Sequence, residues 1–456
     1  MTIAEQVLQA ARQAVGGSAD VDVNVAHTHE ALTRFANSYI HQNVASDTAT
    51  VTLRIHRGGR TAVNTTTVTD DAALAALVER TAAAVRVSPK DPGWAGLSGP
   101  AALPHSPSPD LATGEAAPDD RAEEVKAYIE AVGGLTAAGF YRNRMVVTEY
   151  VNSEGQSAHG TVVEAAIDGI AKTPTSDGAA RQASRLMTDL DGAALGARAA
   201  AKALASQDPI EIDPGEYEVV LEPTAASDVL WILGGFGFNG KACNEGTSFV
   251  KLGEQQFDPT VTLTDDPLSG PAAGTLFDAE GTPRPALTLV RNGVTRAVTH
   301  DRRSAREAGV PSTGHAGAES AVHGAEPVNL RLEPIPGPPP TEVEGPAADS
   351  AVLALVAAVR RGLLVTDHWY TRCLDPRRLV MTGLTRNGVW LIENGEITRP
   401  VKNLRFTQSY PEALAPGRVL GIGTHAPAFA SKYGAASAMA PALHLAGWNF
   451  TGGASG

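Results

Sequence analysis

This sequence predicts an α+β fold: an N-terminal domain of antiparallel strands with helices, then a C-terminal domain dominated by antiparallel β structure, barrel-like or a sandwich. Three observations predict it. Ile3, Val7, Leu8, Ala11 and Val15 recur at helical spacing near the amino terminus. Between 31 and 68, β-branched residues alternate with polar ones around "HRGGR", whose glycines suit a hairpin. In the second half, "ALTLVRNGVTRAV" (286–298) and "GVWLIENGEITRPV" (388–401) are each centred on Asn-Gly, the dipeptide that two-residue hairpin turns prefer.

The elements follow in order. The first helix leads into three strands over 31–68, a meander and not a βαβ unit. "DDAALAALVERTAAAVRV" then predicts a helix over about 70–86, capped by Asp70 or Asp71. A Pro/Gly/Ser-rich loop runs to about Pro118. "DDRAEEVKAYIEAVGG" (119–134) places acids in its first turn and glycines past its end, as the helix dipole and a left-handed cap favour. A second hairpin turns at "NSEG" and runs to about Gly169, and a helix near 190–205 closes this half. The two prolines of "SQDPIEIDPGEY" (206–217) mark a boundary between domains 1–208 and 209–456. Beyond it, "IPGPPPTEVEGPAAD" (335–349) reads as a proline-rich surface insertion. "DSAVLALVAAVRRG" (349–362) reads as a helix with Asp349 or Ser350 as cap and Gly362 as stop.

Composition narrows the function. Hydrophobic residues at 43% over 456 positions allow a substantial core. A net charge of −13 and no Lys/Arg run longer than two argue against nucleic acid as a partner, because phosphate binding needs a basic surface. Two distant cysteines, Cys243 and Cys373, provide neither a disulfide framework nor a thiolate cluster, so a reducing cytoplasm is expected. No uncharged apolar stretch approaches the ~20 residues of a membrane span, so no membrane partner is expected.

"DVLWILGGFGFNG" (228–240) carries the G-x-G-x-x-G spacing of a dinucleotide-binding turn. That turn needs a strand before it and a helix after it. Here the apolar-periodic helix, with Thr224 or Ser227 as N-cap, precedes the glycines, which therefore read as its exit. Metal ligation has one local candidate: His315, Glu319 and His323 in "GHAGAESAVHG" are four apart and would share a helix face, although Gly314 and Gly317 oppose a helix. His27 and His29 read as solvated strand residues. The G-x-S-x-G elbow of serine hydrolases is absent, and neither cysteine has an adjacent base implied by spacing.

Longer motifs are more specific. "FVKLGEQQFDPTVTLTDDPLSGPAAGTLFDAEGTPRPALTLVRNGV" (249–294), "STGHA" (312–316), "NLRLEP" (329–334) and "GLLVTDHWYTRCLDPRRLVMTGLTRNGVWLIENGEITRPVKNLRFTQS" (362–409) together resemble the TldD/PmbA family of zinc metallopeptidase subunits. "RFANSYIHQNVASDTATVTLRIHRGGRTA" is similar to that family's first domain, so the resemblance covers nearly the whole chain.

The resemblance implies two kinds of subunit that form a heterodimer. The TldD type carries an H-E-x-x-x-H helix at the start of the second domain and a cysteine near the carboxyl terminus, which bind zinc. The corresponding helix here, Thr224 to Phe236, has no histidine, and the tail after "DHWYTRCLDP" has no cysteine. "DHWYTR" and "GLTRNGVWLIENGEI" resemble the TldE (PmbA) type, the subunit without the metal site.

This chain is accordingly expected to have no catalytic or metal residue of its own. It would partner a zinc-bearing TldD-type subunit that degrades unfolded peptides or matures peptide precursors. Asp265, Asp266, Trp369, Tyr370 and Arg372 are the candidate contacts with substrate or partner. Two other readings stand beside this one: an enzyme in its own right using His315, Glu319 and His323, or a gyrase-modulating binding protein.

Overall fold

The N-terminal half is one antiparallel sheet with helices laid on one face. The structure is a computed structural model that describes residues 1–430 and 437–453. Helix α1 (Ile3–Val15) starts at a Thr2/Glu5 capping box and buries Val7, Ala11 and Val15. Strands β1 (Asp20–Ala36), β2 (Tyr39–Arg57) and β3 (Arg60–Thr66) form the expected meander, except that β1 begins well before 31. Helix α2 (Asp71–Val87) is capped by Asp70. A short α3 (Leu111–Gly114) and α4 (Pro118–Ala131) follow. The second hairpin is β4 (Thr136–Asn152) and β5 (Ser157–Lys172), to which β6 (Asp177–Ser184) adds a strand absent from the sequence reading. Helix α5 (Gly192–Ala205) ends this half. The sheet order is β3-β2-β1-β4-β5-β6. Two apolar clusters lie under the helices, one beneath α1 and α2 around Val23, Leu53 and Leu77, the other around Phe35, Tyr128 and Ile167.

The C-terminal half opens with β7 (Gly215–Leu221), α6 (Pro223–Ile232) and a short α7 (Gly240–Asn244). Strands β8 (Leu263–Asp265), β9 (Leu287–Arg291) and β10 (Val294–Thr295) come next, then helices α8 (Arg302–Ala308) and α9 (Ser320–His323). They are followed by β11 (Asn329–Leu332), α10 (Ser350–Val356), β12 (Arg361–Asp375), β13 (Val380–Glu393), β14 (Glu396–Pro400) and β15 (Leu404–Ser409). Helix α11 (Tyr410–Ala413), β16 (Val419–Ile422), β17 (Ser437–Met439) and β18 (Leu443–Gly453) complete the described chain.

One sheet runs β10-β9-β8-β11-β17. The other runs β12-β7-β18-β15-β13-β14, and because β12 also pairs β13, five of its strands close into a ring. The barrel-like expectation is met, and most pairs are antiparallel. The β7/β12 and β11/β17 pairs are parallel, so the half is not purely antiparallel. Both Asn-Gly turns form, with Asn292/Gly293 at φ 48° and 80° and Asn394/Gly395 at 55° and 83°. Asp349 caps α10, but that helix ends at Val356. Gly362 lies inside β12, because pairing with β7 recruits the following residues into the barrel. The proline-rich 335–349 segment is tied down: Arg198 of α5 donates to the carbonyls of Val343, Gly345 and Ala347.

Candidate functional site

Helix α6 is where the resemblance would place a metal motif in a catalytic relative. Its N-cap is Glu222 with Pro223 at the first helical position, not Thr224 or Ser227. Glu222 is buried. It forms an ion pair with Lys202 of α5, and its Oε1 accepts the Ala348 amide at 2.8 Å. Burial pulls the Lys202 pKa down, and Glu222 opposes the shift. Ala225, Ala226, Val229, Leu230 and Ile232 are sealed in the main C-terminal core. Asp228 is buried too, with Oδ2 accepting from the Thr371 hydroxyl at 3.0 Å.

The glycines do end this helix. Leu233–Gly237 form a wide π turn in which the Phe238 amide reaches back to the Leu233 carbonyl at 3.1 Å. The Gly240 amide donates to the Thr299 carbonyl at 2.8 Å, so these amides are engaged within the chain and do not form a phosphate cradle. Gly237 is required for packing, since a Cβ there would lie 2.3 Å from the Phe249 ring.

At this exit Phe236 is 40% exposed, and Trp231 is partly buried against the core. They border a cavity of ≈ 310 Å³ together with Lys241, His323, Glu326 and Pro376. A second cavity of ≈ 230 Å³ shares His323 and Glu326 and reaches Arg284 and His315. Burial raises the Glu326 pKa, with His323 acting against it.

His315, Glu319 and His323 do not share a helix face. His315 is buried, its Nε2 2.9 Å from Asp265 Oδ2 and its Nδ1 2.9 Å from Thr313 Oγ1. Helix α9 starts only at Ser320, leaving Glu319 and His323 as an exposed pair 3.5 Å apart. The proposed triad is therefore split between core and surface, as Gly317 foreshadows. Among the described residues no group of three or more His, Cys, Asp or Glu is placed to hold a metal ion. Burial also raises both the Cys243 and Cys373 thiols, which keeps them protonated rather than activated.

The five contact candidates separate by position. Asp265 is fully buried on β8, held by His315 and by the Asn329 amide at 2.6 Å, so it supports the loop from within and does not reach solvent. Asp266 is half-buried and accepts the Leu268 amide at 3.0 Å, which fixes a turn. Trp369, Tyr370 and Arg372 do reach the surface. Trp369 is 39% and Tyr370 59% exposed, on a bulge of β12 where Tyr370 takes a positive φ of 56°. Arg386 stacks over the Trp369 ring at 4.5 Å and Arg372 over Tyr370 at 4.2 Å, which stiffens this aromatic surface.

Sequence reading missed the ionic seam between the two halves. Arg54 on β2 bonds Asp22 at 2.7 Å and approaches Glu280 at 3.5 Å across the seam. Arg181 on β6 bonds Asp367 on β12 at 2.6 Å. Arg303 of α8 bonds Asp91 at 2.7 Å. Asp22, Arg54, Asp91, Glu280 and Arg303 line a cavity of ≈ 280 Å³, and burial pushes Glu280 up to about 7 despite Arg54, with Asp278 adding to the rise. Nothing local in the sequence marks these residues, because each pair joins positions far apart in the chain.

A sheet-and-helix domain joined to a closed β barrel, with a helix lying against the barrel, is the architecture of a class of metallopeptidase-related proteins. Residues 214–452 match the family described as PmbA/TldA metallopeptidase C-terminal domain, and residues 21–85 match PmbA/TldA metallopeptidase domain 1. The chain belongs to the TldD/PmbA family.

Among curated relatives, the metalloprotease TldD homolog of Haemophilus influenzae is 27% identical over 219 residues, 47% of this chain and 42% of the relative. A metalloprotease of Methanothermobacter thermautotrophicus is 24% identical over 216 residues, 46% of this chain and 43% of the relative. The chain thus spans less than half the length of these relatives. In fold it is similar to TldE from Thermococcus kodakarensis, with a TM-score of 0.84 at 17% identity over 99% of this chain and 100% of that one. It is also similar to a Thermotoga maritima protein named as a candidate modulator of a DNA gyrase, with a TM-score of 0.82 at 19% identity over 98% and 99%.

Proposed function

We propose that this chain is the non-catalytic subunit of a heterodimeric zinc metalloprotease, a TldE-like partner to a TldD-type subunit that supplies the zinc. The pair degrades unfolded peptides or matures peptide precursors. One observation carries the reading. Helix α6 and its exit, residues 223–237, contain neither histidine nor cysteine, and the side chains in the position of a metal motif are committed to the core or to Thr371. A zinc ion needs deprotonated imidazole, thiolate or carboxylate ligands converging on one point, which this helix does not offer.

In this reading the chain forms one wall of the cleft that holds an extended peptide against the partner's metal, and Trp369, Tyr370 and Arg372 supply the contact surface. Asp265 and Asp266 shape the neighbouring loop. The division into domains 1–208 and 209–456 is part of the same proposal, supported by the two family matches falling on either side of the 206–213 join. So is a cytoplasmic location, which both free cysteines favour. No helix among the described residues is long and apolar enough to cross a membrane.

The test is zinc content and peptidase activity of the chain purified alone and after co-expression with a TldD-type subunit from the same cell. About one zinc per heterodimer and activity only in the pair are expected. Stoichiometric zinc with activity in the lone chain would falsify the proposal.

A further inference from the structure

The chain exits after α6 and after α9 are fastened to each other, and together they leave one carboxylate over. The buried Asn239 side chain donates from Nδ2 to the His323 carbonyl at 2.7 Å and to the Gly235 carbonyl at 3.4 Å. Gly324, at φ 84°, is needed for this fit, because a Cβ there would stand 2.1 Å from Asn239 Oδ1. The chain after α9 therefore runs across the glycine turn, with Pro327 against Gly234 and the Glu326 carboxylate against Gly235.

Glu326 lines both the ≈ 310 Å³ and the ≈ 230 Å³ cavity and sits where they meet. The other charges that face this cleft among the described residues are matched. Lys241 Nζ holds Glu245 at 2.6 Å, and His323 holds Glu319 at 3.5 Å. On the far side His315 is bound to Asp265, and Arg284 donates to the carbonyls of Gly314 and Thr275 with Asp278 and Asp265 as counter-charges. Glu326 has no hydrogen bond or close ion pair among the described residues, and burial raises its pKa with only His323 opposing.

The surface around this carboxylate selects its occupant. An anion would meet the unmatched charge. A metal ion needs several converging ligands, and no group of three His, Cys, Asp or Glu among the described residues offers them. An organic cation on an apolar stem suits both parts of the cleft, because Trp231, Phe236, Val322 and Pro376 wall it, with Phe236 40% and Val322 68% exposed. The ≈ 310 Å³ space is on the scale of one long side chain, not of a folded partner.

We propose that this cleft binds the Lys or Arg side chain of an extended peptide, with the stem between Phe236 and Val322 and the cationic head on Glu326. This assignment rests on the reading of the chain as a peptide-binding wall, but its test needs neither zinc nor turnover.

Fluorescence anisotropy of the full chain, purified alone, should rank labelled, N-acetylated peptides that differ at one position. Lys should bind about tenfold tighter than uncharged norleucine, and Glu weakest. Glu326→Gln should erase the Lys preference and leave the norleucine peptide unchanged, while Glu326→Lys should transfer the preference to the Glu peptide. Phe236→Leu, which removes the ring face and keeps apolar bulk, should weaken the Lys peptide about threefold. A free amino terminus on the norleucine peptide should add nothing, which separates a side chain from a terminal amine as the cation bound. Glu326 and Phe236 are exposed, so each variant should melt at the parental temperature. Absence of peptide binding, equal affinity for Lys and norleucine, or a Lys preference that survives Glu326→Gln overturns the assignment, whereas the zinc and activity of the pair stand or fall separately.

Discussion

Helix α6 and the seam between the two halves both lie deep in the molecule, and they achieve burial in opposite ways. Along α6 most buried side chains are apolar, with Val229, Leu230 and Leu233 packed into the barrel-side core beside a single buried carboxylate, Asp228. Along the seam the buried atoms are charges, with Arg54 between Asp22 and Glu280, Arg181 against Asp367 and Lys202 against Glu222. An apolar region loses stability in proportion to the volume removed. A paired-charge region loses far more when one partner goes than when both go, because the remaining ion is stranded in low dielectric.

The largest effect should therefore come from the seam. Lys202→Met leaves the Glu222 carboxylate buried without its cation and should cost ~3–5 kcal/mol, read from the urea midpoint. Replacing both residues with Met should recover much of that loss. A single-variant cost below about 1 kcal/mol would show that the pair is not buried as described.

Leu230→Ala should come next, at ~3 kcal/mol by the same measurement, with no dependence on pH. Equal losses from Leu230→Ala at pH 5 and pH 8 would sharpen the contrast with the seam.

Glu280 tests the seam's response to pH. Its folded pKa of about 7 lies above the ordinary value of 4.5, so between those values the folded protein holds a proton that the unfolded chain has lost. The group's contribution to stability is full below about 4.5 and is lost as pH rises through about 7. Thermal melts across that window should show a decline on the order of 3 kcal/mol, and Glu280→Gln should flatten it. A parental curve already flat there would remove the argument.

The smallest effect on folding belongs to the surface. Trp369→Ala and Tyr370→Ala should change stability by only ~0.5 kcal/mol each. In the assembled heterodimer they should nonetheless lower peptide turnover, because the exposed bulge is where the proposed wall meets substrate or partner. Unchanged turnover in both variants would confine these aromatics to packing.

Much of the fold was legible from local chemistry. Asp70 and Asp349 cap helices where their side chains can reach free amides, and both Asn-Gly pairs turn because those residues accept positive φ. Strand β6 was not legible: "DGAARQAS" contains no β-branched residue and is a strand only because β5 pairs it. The candidate site divided in the same way. The glycine motif could be dismissed from the order of helix and glycines alone. The inward turn of His315 depends on Asp265, fifty residues away, and no spacing rule reaches that far.

By itself, then, the sequence determined the elements whose cause is local: helices with their caps, hairpins with their turns, and the helix exit at the glycines that follow α6. Only the tertiary structure decided which charges are buried and paired, that the barrel closes through β12 and β13, and that Glu326 is set against the glycine exit of α6. The reason is physical: periodicity and turn chemistry act over a few residues, whereas burial, ion pairing and strand adjacency depend on which distant segments the fold brings together.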